Sequence, residues 1–158
     1  MPRGKQAVKR VVAPDDKYHN VLLAKFINTV MKRGKKTTAQ KIVYSALEKL
    51  QEKNKEDGIK VFEKVMNAVK PQVEVRSVRV GGANYQVPMP VSSDRQNALA
   101  FRWIIIAAKA RKEKSMAEKL LAEMTDIMAG TGASLKKRDD VHRMAEANKA
   151  FAHFARRA

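Results

Sequence analysis

Residues 71–90 constrain the fold most, because this is the one stretch of the chain whose pattern is not helical. Two valine-rich runs flank Gly81 and Gly82, which supply the positive φ angles that a tight reversal needs. Pro88 and Pro90 lack amide hydrogens along one edge of the second run. The pattern therefore predicts a β-hairpin whose sheet stops at two strands.

The valines of the first run alternate regularly up to Ser77 and then shift by one position. A β-bulge near Ser77 would bring the valines onto one face and place Arg76 and Arg79 together on the other. Since an isolated hairpin is marginally stable in water, it needs helices at its base or a partner along its length. We expect a protruding arm with an anionic partner; the alternative is a hairpin packed flat on its own domain.

Apolar residues recur at helical spacing elsewhere and predict about six helices. The first ends before Gly34, and sequences typical of capping boxes, at Thr37, Ser93 and Ser115, predict the starts of three others. The last is predicted over about residues 134–154. The expected fold is mainly α, a single domain over residues 1–158 with the hairpin between the third and fourth helices.

The chain carries 33 Lys and Arg against 16 Asp and Glu, a formal net charge of +17. Such an excess costs self-repulsion, so a polyphosphate partner, and above all a nucleic acid, is expected. The longest apolar run, residues 103–108, is too short to span a bilayer and no signal peptide is visible, so no membrane partner is expected. The absence of cysteine is compatible with a cytoplasmic location.

Catalytic and metal-binding patterns are lacking in the sequence. His142 and His153 would lie about 16 Å apart along one helix, so they cannot share a metal. Residues 130–132, Gly-Thr-Gly, lack the strand and the further residues of a phosphate loop and are interpreted as a linker. We therefore expect no enzyme activity, no metal and no cofactor.

Basic side chains are the candidate site residues. Arg95, Arg102 and Lys109 are spaced by seven and form one line along the fourth helix, while the others cluster in the N-terminal tail (residues 1–14), the hairpin and the turns. Exposed aromatics are sparse, which favours recognition of backbone and shape over splayed bases. The candidate phosphate contacts are Arg3, Lys5, Lys9, Arg10, Lys25, Lys32, Arg33, Lys35, Lys36, Arg76, Arg79, Arg95, Arg102, Lys109, Arg111, Lys112, Lys114, Lys136, Lys137, Arg138 and Arg143.

Seven stretches are specific enough to indicate a family: residues 25–28, 34–36, 73–77, 79–88, 114–118, 136–138 and 142–153. Through them the chain resembles the bacterial small-subunit ribosomal protein S-seven family over nearly its full length. The carboxyl end varies within that family, so the resemblance implies nothing for residues 154–158.

The resemblance implies a helical domain with a protruding hairpin that binds the 3′ major domain of small-subunit (16S) rRNA and starts assembly of the head. It also implies a place on the cytoplasmic ribosome near exit-site tRNA and mRNA, beside neighbouring small-subunit ribosomal proteins. In some bacteria the family represses its own mRNA. The positions expected nearest tRNA and mRNA are Gly81, Gly82, Ala83, Asn84, Tyr85, Arg143 and Lys149.

Two other classes stay open from the residues alone. An architectural DNA-binding protein with a basic β-arm also fits helices plus a basic hairpin. Such arms usually accompany dimerisation, but no exposed apolar seam is recognisable and no homo-oligomer is expected. An RNA-modifying enzyme is the third class, and the missing nucleophile and cofactor motifs disfavour it.

Overall fold

The computed structural model describes Gly4 and residues 10–157, so the tail candidates Arg3, Lys5 and Lys9 lie outside the described residues. One two-stranded antiparallel hairpin lies between the third and fourth helices, which confirms the predicted mainly α fold. The elements are α1 Val21–Val30, α2 Lys36–Asn54, α3 Gly58–Val69, β1 Val73–Val80, β2 Ala83–Pro90, α4 Ser93–Ala110, α5 Met116–Met128, α6 Ala133–Ala147 and a C-terminal 3₁₀ segment Lys149–Arg157.

The core forms where the apolar faces of α1 to α5 meet. The rings of Phe62 and Phe101 each lie 5.4 Å from the ring of Phe26, centroid to centroid, within the range of favourable aromatic pairs. The helix α4 presents one face to this core. Part of the helix is open to solvent, because Ile106 is 58% exposed, whereas Trp103 is partly buried and packs against the core. The apolar centre of α4 therefore contributes side chains both to the buried core and to the solvent-exposed surface.

The helix starts follow the predicted capping in one case of three. Ser115 and Glu118 form a capping box at the start of α5, as predicted. The α4 helix begins at Ser93, as predicted, but the other two capping boxes do not form. The N-cap positions are Lys35 for α2 and Ser92 for α4, and neither residue makes a side-chain capping hydrogen bond. Thr37 already lies inside α2.

The hairpin ladder is regular, and the predicted bulge near Ser77 is wrong. Pairing runs without interruption from Val73 opposite Pro90 to Val80 opposite Ala83, closed by two glycines with φ of 57° and 92°. Successive residues of a regular strand face opposite sides, so Arg76 and Arg79 lie on different faces. The single arginine face expected from the sequence does not exist.

The last helix is also shorter than predicted. It ends at Ala147, and at Asn148 the backbone leaves the helical region before the 3₁₀ segment begins. This break brings Phe151 and Phe154 to within 5.3 and 5.1 Å of the ring of Tyr85 on β2.

The base of the hairpin also rests on α6, where the Gln72 N–H donates to Nε2 of His142 over 3.2 Å. Val87, in the return strand, is fully buried. The base therefore rests on α6, the 3₁₀ segment packs on Tyr85 close to the tip, and residues 81–84 at the tip itself stay exposed.

Candidate nucleic-acid interface

A cleft of about 810 Å³ opens between α1 and α4. Its cations are Arg10 from the segment before α1, Lys25 from α1, and Arg102 and Lys109 from α4; these four residues define the basic cleft. Asp94, the carboxylate that lines it, lies 3.4 Å from the Lys25 ammonium and is thereby partly neutralised. The cleft is therefore a concave surface of net positive charge.

A smaller cavity of about 350 Å³ lies beside the basic cleft and shares Ile105 and Lys109 with it. Its lining is mainly apolar, with cations from Lys32, Lys35 and Lys109. We call this cavity the slot. Its residues are Val30, Met31, Lys32, Lys35, Thr38, Ala39, Ile42, Ile105, Lys109 and Met116.

The turn between α1 and α2 adds further cations at a helix N-terminus. Arg33 and Gly34 both have positive φ, and the turn leaves Lys35 and Lys36 exposed at the start of α2. Neither an acidic residue in the first turn nor a side-chain cap compensates the free N–H groups there, within the described residues. Cations at the positive end of a helix dipole are unfavourable, so this arrangement favours binding of an anion.

The predicted line along α4 divides into two parts. Arg102 and Lys109 line the basic cleft, whereas Arg95 donates from Nε to Glu74 over 3.1 Å. Arg76 donates to the same carboxylate over 2.6 Å, and Glu74 is only 8% exposed. Burial opposes ionisation of Glu74, but the hydrogen bonds from Arg76 and Arg95 outweigh it and lower its pKa. Arg76 and Arg95 therefore join the hairpin base to α4.

Arg111, another predicted phosphate contact, forms ion pairs with carboxylates of its own chain. Its guanidinium lies 2.8 Å from the carboxylate of Glu123 and also pairs with Asp126. Burial disfavours the charged guanidinium, yet the hydrogen bonds to Asp126 and Glu123 raise the pKa of Arg111 further. Glu123 is fully buried and also accepts from the N–H and hydroxyl of Ser134 over 2.9 and 2.7 Å. The sequence pattern gave no sign of this network.

Arg138 has a similar position, since it donates to the Ala68 carbonyl and lies 2.6 Å from Asp139. The remaining basic candidates, among them Arg79 at the hairpin, point to solvent. Contact of any of these side chains with nucleic acid stays a prediction. The exposed candidates beyond the basic cleft and the slot are Arg33, Lys36, Arg79, Lys112, Lys114, Lys136, Lys137 and Arg143.

The positions predicted near tRNA and mRNA fall into two groups. Gly81, Gly82, Ala83 and Asn84 are exposed at the hairpin tip. Lys149, in the 3₁₀ segment, is exposed beside the hairpin base, and Arg143 is exposed on α6 near the turn between α5 and α6. Tyr85 differs, because Phe151 and Phe154 cover its ring.

Sequence reasoning missed the apolar part of the surface. Val12 and Ile106 line the basic cleft together with its cations, and the one signal for Ile106 was the apolar circumference of α4. Within the described residues, no cluster of His, Cys, Asp and Glu has the arrangement of a metal site. No described helix is long and apolar enough to cross a membrane.

A helical core, a hairpin and a concave basic surface, without a recognisable catalytic constellation among the described residues, are the features expected of a nucleic-acid-binding protein. Residues 2–149 match the family model described as Ribosomal protein S7p/S5e. The chain belongs to this ribosomal protein family.

Curated relatives extend the match over nearly the whole chain. It is 55% identical to "Small ribosomal subunit protein uS7" of Marinobacter nauticus and of Pseudomonas fluorescens strain SBW25, and 52% identical to that of Nitrosospira multiformis. Each alignment covers 98% of this chain and 99% of the relative. Membership confirms the resemblance and the prediction of a ribosomal protein that is not an enzyme, and it disfavours the architectural DNA-binding class.

Proposed function

We propose that this chain is a structural component of the small ribosomal subunit, in the cytoplasm, that binds the 3′ major domain of 16S rRNA and starts assembly of the head. Family membership and the relatives' name support the subunit. The basic cleft carries the RNA part of the proposal, because its cations come from three separate segments yet line one concave surface. Such a surface suits a folded RNA backbone, which is recognised by shape and phosphate position.

The hairpin tip is the second part of the proposal. The exposed residues 81–84, with Lys149 beside the hairpin base and Arg143 on α6, suit a position near exit-site tRNA and mRNA, next to neighbouring small-subunit ribosomal proteins. The hairpin base rests on α6 and the 3₁₀ segment packs on Tyr85 close to the tip, so residues 81–84 extend from a fixed support. Repression of the chain's own mRNA would use the same RNA-binding surface.

Competition binding tests the RNA proposal. The complex with a fragment of the 16S rRNA 3′ major domain is challenged at fixed salt with duplex DNA of equal length. Since specific sites typically exceed non-specific ones by about 10³-fold or more, we expect duplex DNA to displace the fragment only at such an excess. If duplex DNA displaces the rRNA fragment at equal phosphate concentration, specific recognition of a folded rRNA is contradicted. The architectural DNA-binding class would then be favoured.

The two hairpin arginines are expected to behave differently. Arg79 is exposed and forms no ion pair within the described residues, so Arg79→Ala should weaken rRNA binding about tenfold by removing one charge-assisted contact. The effect of Arg79→Ala on the free energy of unfolding should stay within about 0.5 kcal/mol.

Arg76→Ala leaves Glu74 with Arg95 alone and should lower the free energy of unfolding by about 1 kcal/mol. Denaturant melts and filter binding on both variants separate the two roles; identical profiles would contradict the opposite-face geometry.

A further inference from the structure

The slot is assembled from four helices and the turn between α1 and α2. Val30 ends α1, Thr38, Ala39 and Ile42 lie on α2, Ile105 and Lys109 on α4, and Met116 begins α5. Its volume of about 350 Å³ is near the lower end of the roughly 300–1,000 Å³ of small-molecule sites. It is therefore large enough for a compact planar group and too small for a folded segment of a partner.

The charge around the slot indicates what that group is attached to. Lys32, Lys35 and Lys109 line it and are exposed, and its described lining includes no carboxylate. An apolar side chain from a protein partner would gain nothing from three ammonium groups at its entrance. An apolar ligand carrying negative charge on both sides gains from all three, and a nucleotide within an RNA strand has that form.

The position of the slot points the same way. Lys109 and Ile105 are shared with the basic cleft, so a strand whose phosphates follow the cleft passes the entrance of the slot. The N-terminus of α2 has no side-chain cap, and its residue Lys35 lines the slot, so a phosphate at the entrance is favoured. Sulfur atoms of Met31 and Met116 in the lining are polarisable and pack well against aromatic rings.

We propose that the slot receives one unstacked base of the bound RNA, with the flanking phosphates held by Lys32, Lys35 and Lys109. This inference rests on the proposed function and adds direct contact with a base to a surface that otherwise reads phosphate position. It differs from the expectation, drawn from the sparse exposed aromatics, that recognition of backbone and shape is favoured over recognition of splayed bases. The apolar surface for the base comes from aliphatic and methionine side chains of the slot.

Two adjacent threonines offer a matched test. Thr37 and Thr38 are both exposed in the first turn of α2, but only Thr38 lines the slot. Thr38→Trp places an indole across the slot, whereas Thr37→Trp adds the same side chain outside it. We expect Thr38→Trp to weaken binding of the 3′ major-domain fragment about tenfold, the scale of one base contact, and Thr37→Trp to change it less than about twofold. The slope of affinity against salt should be the same in both variants, because no phosphate contact is removed.

An abasic scan of the fragment supplies a readout that does not depend on either variant folding. With the wild-type chain, one abasic position should lower affinity about tenfold, and that position should have no further effect in Thr38→Trp. If no abasic position affects the wild-type complex, or if Thr38→Trp binds as well as Thr37→Trp, the slot holds no base and the inference is wrong. If Thr38→Trp binds RNA normally but fails to join the head with neighbouring ribosomal proteins, the occupant is a protein side chain, which also overturns it. Failure of the wild-type chain to bind the fragment at all would instead overturn the proposed function.

Discussion

Replacing Arg111 with alanine is expected to lower the free energy of unfolding by about 3–5 kcal/mol, because it leaves the fully buried carboxylate of Glu123 without its cation. Ser134 would still donate two hydrogen bonds to Glu123, but neither supplies charge. Asp126 would lose its partner as well, at lower cost because it is partly exposed. Denaturant unfolding followed by circular dichroism measures the effect.

Lys112 provides the control, since it is the next residue, carries the same charge and is exposed. Lys112→Ala should change stability by no more than about 0.5 kcal/mol. The comparison also separates two roles of Arg111, which the sequence predicts as a phosphate contact. A stable Arg111→Ala variant with reduced RNA affinity would show that Arg111 serves RNA binding and that the network with Glu123 contributes little.

Local patterns predicted most of the fold. The apolar period predicted the six α-helices that the described residues form, and the capping box at Ser115 is formed as expected. The turn of the hairpin was predictable because it needs two residues with positive φ, and the adjacent glycines Gly81 and Gly82 supply both. The capping prediction at Thr37 was wrong because the N-cap position of α2 is Lys35, two residues earlier, and it has no side-chain cap.

The bulge near Ser77 was predicted wrongly because the valines of the first strand were assumed to share one face. The ladder is regular, and the carboxylate of Glu74 is buried in it since Arg95, 21 residues further along the chain, neutralises it together with Arg76. A contact at that separation leaves no trace in the local pattern. The same holds for Glu123, whose burial depends on Arg111 and Ser134 from neighbouring segments.

The candidate site was predictable in its charges and not in its shape. Spacing by seven placed Arg102 and Lys109 on one side of α4, where both line the basic cleft. The slot could not be found in this way, because its walls come from α1, α2, α4 and α5 and no single segment shows it. Ile106 shows the same limit, since its exposure depends on which side of α4 the other helices cover.

Affinity for the rRNA fragment is expected to fall by about 10³ to 10⁵ between roughly 50 and 200 mM salt, as for a protein that neutralises six to ten phosphates. The chain supplies enough cations for this, with a net charge of +17 and exposed lysines and arginines around the basic cleft and the slot. Arg102→Ala combined with Lys109→Ala removes two of them and should reduce the slope of log affinity against log salt by about 0.7–0.9 per lost contact. Lys53→Ala with Lys60→Ala changes the net charge equally at exposed positions outside the cleft and the slot, and should leave the slope nearly unchanged. Equal slopes for the two double variants would show that net charge, and not the basic cleft, determines binding. A nearly flat salt response of the wild-type chain would show that phosphate contacts are not the basis of recognition.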